Sequence, residues 1–363
     1  MKTICFLIPG RIDKPIGGHK VIYDYANKFS CDGYDVLIAN NLFMPCNSLR
    51  LVELLRKVYA FSKYVYRSVT GRSTCKKWFN LNPRVKEIRV WTFDYQQMPP
   101  ADLYIATAAV TAPYVLKYPV PTSHKIYFIQ GYENWNMTDS ELRATFRYPF
   151  TKIVISKWLA SIVKEEGHDS ILIPNGFNSE EFFCFLPIEH KDKYAISMLY
   201  HTMPSKNSQM AFEALDIVKA EFPQLHVNIF GVYDKPNLPE WYTYYKSPDM
   251  ITHNRLNNES AIYIATSSSE GFGLTVGEAM MCGQAVACTD TKGYMEMAED
   301  GVNALVSPIG DSVALAKNVI TLINNDSLRI RIAANGLKSI AVFSADNSYK
   351  SLKSVVMKDN FQE

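Results

Sequence analysis

The segment SSSEGFGLTVGEAMMCG places two carboxylates, Glu270 and Glu278, around a glycine-rich turn. Carboxylates accept hydrogen bonds from paired hydroxyl groups, so these two side chains are suited to holding polyols such as sugars. Gly271 and Gly273 permit a tight turn and let backbone N–H groups approach a ligand. A helix predicted to begin near Thr275 adds free N–H groups and partial positive charge at its N-terminus, which suits a diphosphate.

The same residues also fit an ordinary helix terminus. Thr275-x-x-Glu278 matches a capping box, in which the carboxylate bonds back to the backbone of the N-cap residue. Gly283 matches the residue that follows a helix, where glycine is common. The spacing alone therefore leaves a ligand role and a cap role for Glu278 both open.

Short apolar runs alternate with helical patterns along the whole chain. One series contains TICFLIPG, YDVLIANN, ADLYIATA and HKIYFIQGY, and a second contains YAISMLYH, LHVNIFGV, SAIYIATSS and QAVACTD. Continuous apolar strands separated by helices are typical of parallel sheets covered on both faces. The two series predict an α/β chain of two Rossmann-like, doubly wound domains. Ligands of such sheets bind beyond the carboxyl ends of the strands, so we expect the two sheets to face each other across a cleft.

The break between the two series is predicted at IPNGFNSEEFFCFLP, where Pro, Asn and Gly interrupt both periodic patterns. We therefore expect an N-terminal domain over residues 1–175 and a C-terminal domain over residues 176–343. No repeat of solenoid length accompanies this division.

The composition is that of a globular protein, with 363 residues, 47% hydrophobic and 20% charged. The net charge of +2 gives no global attraction to nucleic acid. The seven cysteines show no C-x-x-C spacing, so neither a disulfide framework nor a zinc site is expected, and a reducing compartment such as the cytoplasm fits. The start, MKTICFLIPG, predicts a buried strand rather than a secretory leader, and no apolar run is long enough to predict a membrane span.

The stretch 49–78 is strongly basic, with eight Lys or Arg residues against one Glu. As a helix it separates an apolar face from a basic face, formed by Leu51, Leu55, Val58, Val65 and Val69 and by Arg56, Lys63 and Arg67 respectively. Such a helix can lie on an anionic membrane surface. It can equally pack its apolar face on its own domain and keep its charges in water, and both possibilities remain open.

The region that begins at Ser267 and runs for about 45 residues resembles the signature of the family 4 retaining glycosyltransferases, which have the GT-B fold. The shared pattern is E-G-F-G-L, then E-A-M-x-x-G, a later Gly and Glu, D-G-x-N and a late Asp. The resemblance implies that Glu270 meets the donor sugar and that Glu278 meets the ribose of the nucleotide. It also implies that the sugar-phosphate is lined by the loop and the helix start, namely Gly271, Phe272, Gly273, Leu274 and Thr275.

Further donor contacts follow from the same resemblance. Family members usually have an Arg and, five residues later, a Lys that grip the diphosphate. Lys206 stands at the Lys position, but His201 stands at the Arg position, and neutral imidazole does not substitute for guanidinium. We therefore expect Lys206 and Glu270 in the catalytic set, together with a His201 that is protonated by the donor phosphates, unless another residue supplies that charge. Gly17-Gly18 matches the loop that approaches the donor diphosphate, although a simple turn also explains it.

The acceptor is expected in the N-terminal domain. Many family members carry a His near the reacting centre where this chain reads Thr107-Ala-Ala, so that feature is absent. The following strand ends in a Gln-x-Tyr-Glu pattern that resembles the rhamnosyltransferase-like branch of the family. The predicted acceptor contacts are the polar residues at these strand ends and at the first helix: His19, Thr107, Gln130, Tyr132 and Glu133. It remains equally open that these residues bind no acceptor and form only an ordinary polar loop and a His at a helix start.

Motifs for metal or cofactor chemistry are absent from the sequence, since it contains no D-x-D, H-E-x-x-H or P-loop pattern. We therefore expect no metal and no cofactor, with the leaving diphosphate stabilised by Lys206 and a helix N-terminus. Glu296 matches another family acid near the donor, and a surface acid would explain it equally well.

The resemblance implies transfer of a sugar from a nucleotide-sugar donor to a glycan or lipid-linked acceptor, with retention of anomeric configuration. The implied setting is assembly of a bacterial surface polysaccharide, capsule or O-antigen, in the cytoplasm or peripherally on the cytoplasmic face of the membrane. It also implies domain closure about a hinge near residues 174–187 and a C-terminal helix over 344–358 that packs back on the first domain.

Two other functions fit parts of the sequence. One is a GT-B nucleotide-sugar epimerase, which would release a free altered sugar nucleotide. The other is a non-catalytic scaffold that binds nucleotide or glycan. His201 and the absent N-domain His favour a scaffold, whereas the presence of Glu270, Glu278 and Lys206 together argues against it.

Overall fold

The computed structural model describes residues 2–10, 14–43, 50–69, 78–134 and 137–358. Their contacts divide into two compact units. The first contains the residues up to Ile173 together with those from Tyr349 onward, and the second is Pro174–Ser348. Each unit has its own sheet and its own core.

The first unit is built on a parallel sheet of seven described strands in the order β3-β2-β1-β4-β5-β6-β7. These strands are β1 Thr3–Ile8, β2 Asp35–Asn41, β3 Lys86–Val90, β4 Leu103–Ala106, β5 Lys125–Ile129, β6 Thr151–Val154 and β7 Ile171–Leu172. The described helices are α1 Gly17–Cys31, α2 Arg50–Val69, α3 Ala112–Leu116, α4 Asp139–Phe146 and α5 Lys157–Glu165. Consecutive residues of β4 and β5 are all buried, as expected of central strands covered on both faces.

The second unit is built on a parallel sheet of six described strands in the order β10-β9-β8-β11-β12-β13. These strands are β8 Asp192–Leu199, β9 His226–Gly231, β10 Tyr242–Lys246, β11 Ser260–Ala265, β12 Ala285–Thr289 and β13 Ala304–Ser307. The described helices are α6 Ser208–Glu221, α7 Met250–Glu259, α8 Leu274–Met281, α9 Ser312–Asn324 and α10 Asp326–Ile340. Its core joins the sheet to α6 and α9 through buried aliphatic side chains, among them Ile196, Ile262, Val218 and Val319.

Both sheets confirm the predicted Rossmann-like α/β architecture. In each, the strand order reverses beside the first strand of the unit, between β1 and β4 and between β8 and β11. The loops that leave these neighbouring strands diverge to opposite faces of the sheet and open a crevice at the carboxyl ends. This topology places the segments after β8 and β11 together in the second unit, and those after β1 and β4 together in the first.

The last described helix, α11 Ala345–Lys358, begins in the second unit, and its residues from Tyr349 belong to the first. The Tyr349 ring packs edge-on against Phe29 of α1, with ring centroids 5.0 Å apart. Asp32, at the end of α1, accepts hydrogen bonds from the Tyr349 hydroxyl at 2.5 Å and from Lys353 Nζ at 2.6 Å. These polar contacts lower the pKa of Asp32, so its carboxylate is held ionised.

The described part of the chain contains no helix that combines the length and the apolar character needed to cross a membrane.

Candidate active site

Two loops meet at the crevice of the second unit, one after β8 and the other after β11. Ser268 N–H donates to the carbonyl of Ser205 over 2.8 Å, and the Thr266 hydroxyl donates to the carbonyl of Lys206 over 3.1 Å. Lys206 ends the 3₁₀ turn Pro204–Lys206, and the next residue, Asn207, has a left-handed φ of +48° that turns the chain into α6. The lysine backbone is therefore fixed to the β11 loop.

Lys206 and Glu270 form an ion pair at this junction. Their side chains are 25% and 17% exposed respectively, so the pair is shielded but remains within reach of a ligand. The Ser267 hydroxyl lies 3.3 Å from the same Glu270 oxygen, Oε2, and the buried Tyr294 hydroxyl donates to Ser267 Oγ over 2.8 Å. Burial raises the pKa of Tyr294 well above its ordinary value, so this phenol stays protonated and can act as the donor. Glu270 is therefore oriented from two sides.

Aromatic packing supports the glycine loop that precedes α8. Phe272 is buried, and its ring lies 6.2 Å from that of Phe177 and 5.8 Å from that of Phe343, measured between centroids. A Cβ atom at Gly293 would lie 2.3 Å from the carbonyl oxygen of Glu270, so only glycine lets the segment after β12 lie against this loop. The backbone of the glycine loop is thereby packed against Gly293.

The capping box that the spacing had left open at α8 is not formed. The helix begins at Leu274, and its N-cap is Gly273, which has a left-handed φ of +97° and no side chain to cap the helix. Thr275 therefore lies inside the first helical turn and not at the cap. A Cβ atom at Gly273 would also lie 2.4 Å from the Tyr294 ring. Without a side-chain cap, the first amides of α8 are directed at the crevice.

Glu278 lies one turn further along α8 and is partly exposed. Because the N-cap is five residues before it, its carboxylate does not serve the cap role that the spacing had left open. Glu296 ends the 3₁₀ turn Tyr294–Glu296 and is also partly exposed.

His201 is neutral in this structure, which contains no donor, so its protonation by donor phosphates stays a prediction. Burial, with a smaller contribution from nearby Lys206, lowers its pKa to about 4. Its Nδ1 accepts the Met203 N–H over 2.9 Å, and its Nε2 lies 3.3 Å from the Tyr233 hydroxyl. An imidazole that accepts at Nδ1 carries its hydrogen on Nε2, so His201 offers a hydrogen bond instead of a positive charge.

A second polar cluster lies at the carboxyl ends of β4 and β5 in the first unit. The Thr107 hydroxyl donates to the carbonyl of Leu7 over 2.6 Å, and Gln130 Nε2 lies 3.3 Å from the carbonyl of Thr107. Glu133 Oε2 accepts the Ala109 N–H over 2.6 Å. Burial raises the pKa of Glu133 to about 7, with the Ala109 hydrogen bond acting in the opposite direction. The Glu133 carboxyl group, from the loop after β5, thus contacts the loop after β4, where the resembled family usually has its His.

The start of α1 adjoins this cluster. A Cβ atom at Gly18 would lie 3.2 Å from Gln130 Oε1, so the glycine lets the amide side chain approach the helix. Gln130 Oε1 and His19 Nδ1 are both buried without a hydrogen-bond partner. Buried polar atoms are seldom left unpaired, and these two therefore mark a place where a polar ligand would be favoured. Burial also lowers the pKa of His19 to about 4.

Two predicted residues are not brought into this cluster. Tyr132 uses its hydroxyl to donate to Asp139 of α4, and its ring packs toward Phe146 and Trp158. Gly17 is the exposed first residue of α1. Among the described residues, no group of three His, Cys, Asp or Glu side chains is arranged to hold a metal ion.

Sequence reasoning did not identify the hydrogen-bonded residues that orient Glu270. Ser267 directly precedes the glycine motif, and Tyr294 follows β12, so neither spacing nor composition connects them. The available signal was Gly293, which follows a predicted strand and stands where the family pattern has a glycine. Only its close approach to Glu270 reveals what that glycine does.

Comparison with known proteins agrees with this geometry. Residues 179–339 match the family described as Glycosyl transferases group 1. Sucrose-phosphate synthase from Thermosynechococcus elongatus superposes with a TM-score of 0.74 over 99% of both chains at 13% identity. HepE from Anabaena, solved in complex with UDP-glucose, superposes with a TM-score of 0.72 over 98% of this chain and 100% of its own, at 17% identity. This chain has the GT-B fold. Identities this low show the fold alone.

A sequence relative of this GT-B protein is phosphatidyl-myo-inositol mannosyltransferase from Mycobacterium leprae, 26% identical over 190 residues. The match covers 48% of this chain and 50% of that relative, so the chain spans about half of the length of the relative it matches.

Proposed function

We propose that this GT-B protein is a retaining glycosyltransferase that uses a nucleotide-sugar donor. The observation that carries the proposal is the Lys206–Glu270 pair beside the uncapped N-terminus of α8, at the strand-order reversal of the second sheet. A cation, a carboxylate and free helix amides in one crevice match a diphosphate joined to a sugar. The group 1 match over residues 179–339 covers this same site.

In the proposed donor complex, the diphosphate lies at the α8 N-terminus against the amides of Gly271, Phe272 and Gly273, with Leu274 and Thr275 in the first turn. Lys206 supplies the positive charge that the leaving diphosphate needs. Glu270 then accepts hydrogen bonds from donor sugar hydroxyls, and Glu278, one turn along α8, accepts them from the ribose. His201 contributes a neutral hydrogen bond.

We assign retention to chemistry on one face of the donor sugar. The bond from the anomeric carbon to the phosphate oxygen breaks, the acceptor hydroxyl attacks from the same side, and its proton passes to the departing phosphate. No protein nucleophile is needed in this scheme. The protein contributes positioning and electrostatic stabilisation of the developing charge on the diphosphate.

The proposed acceptor site is the polar cluster of the first unit, formed by Thr107, Gln130 and Glu133 with His19 beside them. Its unpaired Gln130 Oε1 and His19 Nδ1 support binding of a hydroxyl-rich group. The Gln-x-Tyr-Glu pattern supports an acceptor of the rhamnosyltransferase-like branch, although Tyr132 is left out because its hydroxyl is bonded to Asp139.

The proposed setting is assembly of a bacterial surface polysaccharide on a glycan or lipid-linked acceptor at the cytoplasmic face of the membrane. The relative named for mannosyl transfer to phosphatidyl-myo-inositol supports a lipid-linked acceptor. The basic character of residues 49–78 supports a position beside anionic lipid.

The proposal is tested without knowing the acceptor by letting water take the place of the acceptor hydroxyl. The full chain is incubated with UDP-, GDP-, dTDP- and ADP-sugars, and nucleoside diphosphate release is measured beside proton NMR of the freshly released sugar. We expect one donor class to be hydrolysed with its anomeric configuration retained, and Lys206→Met to abolish release. Inverted sugar would contradict retention, an altered sugar nucleotide would identify an epimerase, and binding without turnover would identify a scaffold.

A further inference from the structure

The second unit contains a cavity that the proposed donor contacts do not use. It lies between the end of β8, one face of α6 and the segment that precedes β10, and its volume is about 670 Å³. Small-molecule sites usually have volumes of roughly 300–1,000 Å³. His201 borders the cavity, whereas Lys206, Glu270 and Glu278 are not among the residues that line it. The cavity is therefore separate from the carboxylates and the lysine assigned to the donor.

Aromatic rings form much of the wall of this cavity. The Tyr200 and Phe212 rings are stacked with their centroids 6.1 Å apart, and Tyr242 meets Phe212 edge-on at 5.8 Å. Leu238 adds an aliphatic side chain from the segment that precedes β10. Walls of this kind favour a ligand that has an apolar ring face.

The Tyr242 hydroxyl is a polar group that the fold leaves unused. Tyr242 is 4% exposed, and its hydroxyl is buried without a hydrogen-bond partner among the described residues. Burial, with a smaller contribution from Asp216, raises the pKa of this phenol, so it is protonated and can both donate and accept. A buried hydroxyl is costly to leave unpaired, which indicates that a ligand group bonds to it.

The charges around the cavity disfavour an anionic ligand. Among the described residues that line it, none is Lys or Arg, and His201 is neutral. Asp216 is an exposed carboxylate one turn after Phe212 on the same face of α6. Carboxylates accept hydrogen bonds from paired hydroxyl groups, and Asn237 adds an amide at the same cavity. The polar groups therefore suit hydroxyl groups better than phosphates.

We propose that this cavity binds a neutral sugar ring of a glycan, at a site separate from the donor crevice. A pyranose has an apolar face of C–H groups, which fits the rings of Tyr200 and Phe212. It also carries hydroxyl groups, which fit the Tyr242 hydroxyl and the Asp216 carboxylate. A quaternary ammonium ion also suits aromatic rings beside a carboxylate, but it has no hydrogen-bonding group for the Tyr242 hydroxyl.

The experiment measures binding of neutral glycosides to the full chain by saturation-transfer difference NMR. The probes are the methyl α-glycosides of glucose, mannose, rhamnose and N-acetylglucosamine, each titrated without nucleotide. Tyr242→Phe removes only the unpaired hydroxyl. The matched control, Tyr194→Phe, removes a hydroxyl from a partly exposed tyrosine that packs on the same core and does not line the cavity. Because binding is measured, the result does not depend on the proposed transferase activity.

We expect at least one glycoside to bind the wild type and Tyr194→Phe with equal dissociation constants. Tyr242→Phe should bind it about three- to tenfold more weakly, because one hydrogen bond is lost. Without ligand, Tyr242→Phe should be at least as stable as the wild type in urea unfolding, because it removes a buried group that has no partner. A residue that serves packing alone would not combine these two results. A second variant at an exposed position, Asp216→Ala, should also weaken glycoside binding without unfolding the chain.

Four results would overturn the proposal. One is the absence of saturation transfer to any of the four glycosides. Another is equal binding by the wild type and Tyr242→Phe, and a loss in Glu270→Gln would then place the sugar in the donor crevice. A marked loss of stability in Tyr242→Phe would show that its hydroxyl is already paired in the folded chain. Binding of tetramethylammonium in place of the glycosides would identify a cation site.

Discussion

At the scale of single residues, Lys206 is the group on which donor binding depends most. It is the cation of the ion pair with Glu270 and it stands on a turn that is bonded to the β11 loop. Lys206→Met should weaken binding of a nucleoside diphosphate by about 10- to 100-fold, since a hydrogen bond to a charged group contributes roughly 1.5–3 kcal/mol. Isothermal titration calorimetry measures the change.

Lys193 provides the matched control for this substitution. It forms an ion pair with Asp326, and its side chain is 32% exposed, close to the value for Lys206. Lys193→Met should leave the dissociation constant unchanged. Equal affinities for the wild type and Lys206→Met would remove Lys206 from the site.

Substitution of Glu278 distinguishes recognition of the nucleoside from recognition of the diphosphate. Because the N-cap of α8 is Gly273, Glu278→Ala removes no helix cap, and we expect the chain to remain folded without ligand. It should weaken binding of the matching nucleoside diphosphate and leave inorganic diphosphate unaffected, because only the former has a ribose. A marked loss of ligand-free stability in urea unfolding would instead restore a structural role.

Glu133 should give the first unit a characteristic pH dependence. Burial raises its pKa to about 7 in the folded chain, so between the ordinary carboxyl range and pH 7 the folded state binds more protons than the unfolded state. Its contribution to stability is therefore present in acid and is lost as the pH rises through about 7. Relative to Glu133→Gln, the wild type should become progressively less stable from pH 5 to pH 8 in urea unfolding. Parallel curves for the two proteins would contradict this account.

At the scale of elements, the sequence predicted the strands well and the start of α8 to within one residue. Parallel central strands can be recognised because β4 and β11 are buried at every position and are apolar apart from Ser260. The spacing Thr275-x-x-Glu278 could not show that α8 has no side-chain cap, because its boundary is set by the left-handed Gly273 and the Tyr294 ring against it. The Tyr294 ring comes from a segment after β12, so a pattern of neighbouring residues cannot predict its contact with Gly273.

The protonation state of His201 in the folded chain also could not be predicted from the sequence. The neutrality of His201 follows from burial and from the Met203 N–H that occupies its Nδ1, both of which are properties of the folded loop. The exposure of Leu55, Val58 and Val69 on α2 has the same origin, since a hydrophobic pattern fixes which residues share a face and not where that face points. Glu270, Glu278 and Lys206, by contrast, could be proposed from the sequence because motif spacing is a property of the chain itself.

Gly277 tests how closely α8 is packed. A Cβ atom there would lie 2.0 Å from Cζ of the Phe177 ring. Alanine usually stabilises a helix relative to glycine, but Gly277→Ala should destabilise the chain by about 1–3 kcal/mol through overpacking. Urea unfolding measures this, and adding Phe177→Leu should recover part of the loss.

Gly336 of α10 is the control for that substitution, because its nearest atom, on the flexible Met280 side chain, would be 3.3 Å from a new Cβ. Gly336→Ala should be much less destabilising. A gain in stability from Gly277→Ala would contradict the packing described for α8.

At the scale of the whole molecule, each unit carries one crevice at its strand-order reversal. The proposed donor groups belong to Pro174–Ser348, and the proposed acceptor cluster belongs to the first unit, which also includes the residues from Tyr349 onward. Because α11 contributes Tyr349 and Lys353 to contacts with α1, a shortened chain would lose structure from the first unit. Ligand measurements therefore use the full chain.

The most direct test of the central claim is a thermal-shift titration of the full chain with UDP, GDP, dTDP, ADP and their sugar conjugates, with Lys206→Met in parallel. A ligand that binds only the folded state stabilises it by about 2.7 kcal/mol at a hundredfold excess over its dissociation constant. We predict that one nucleotide class raises the melting temperature of the wild type and that the shift grows with ligand concentration as this relation requires. Lys206→Met should lose most of the shift. No shift with any nucleotide, or an equal shift in the variant, would contradict a donor site at Lys206, Glu270 and the start of α8.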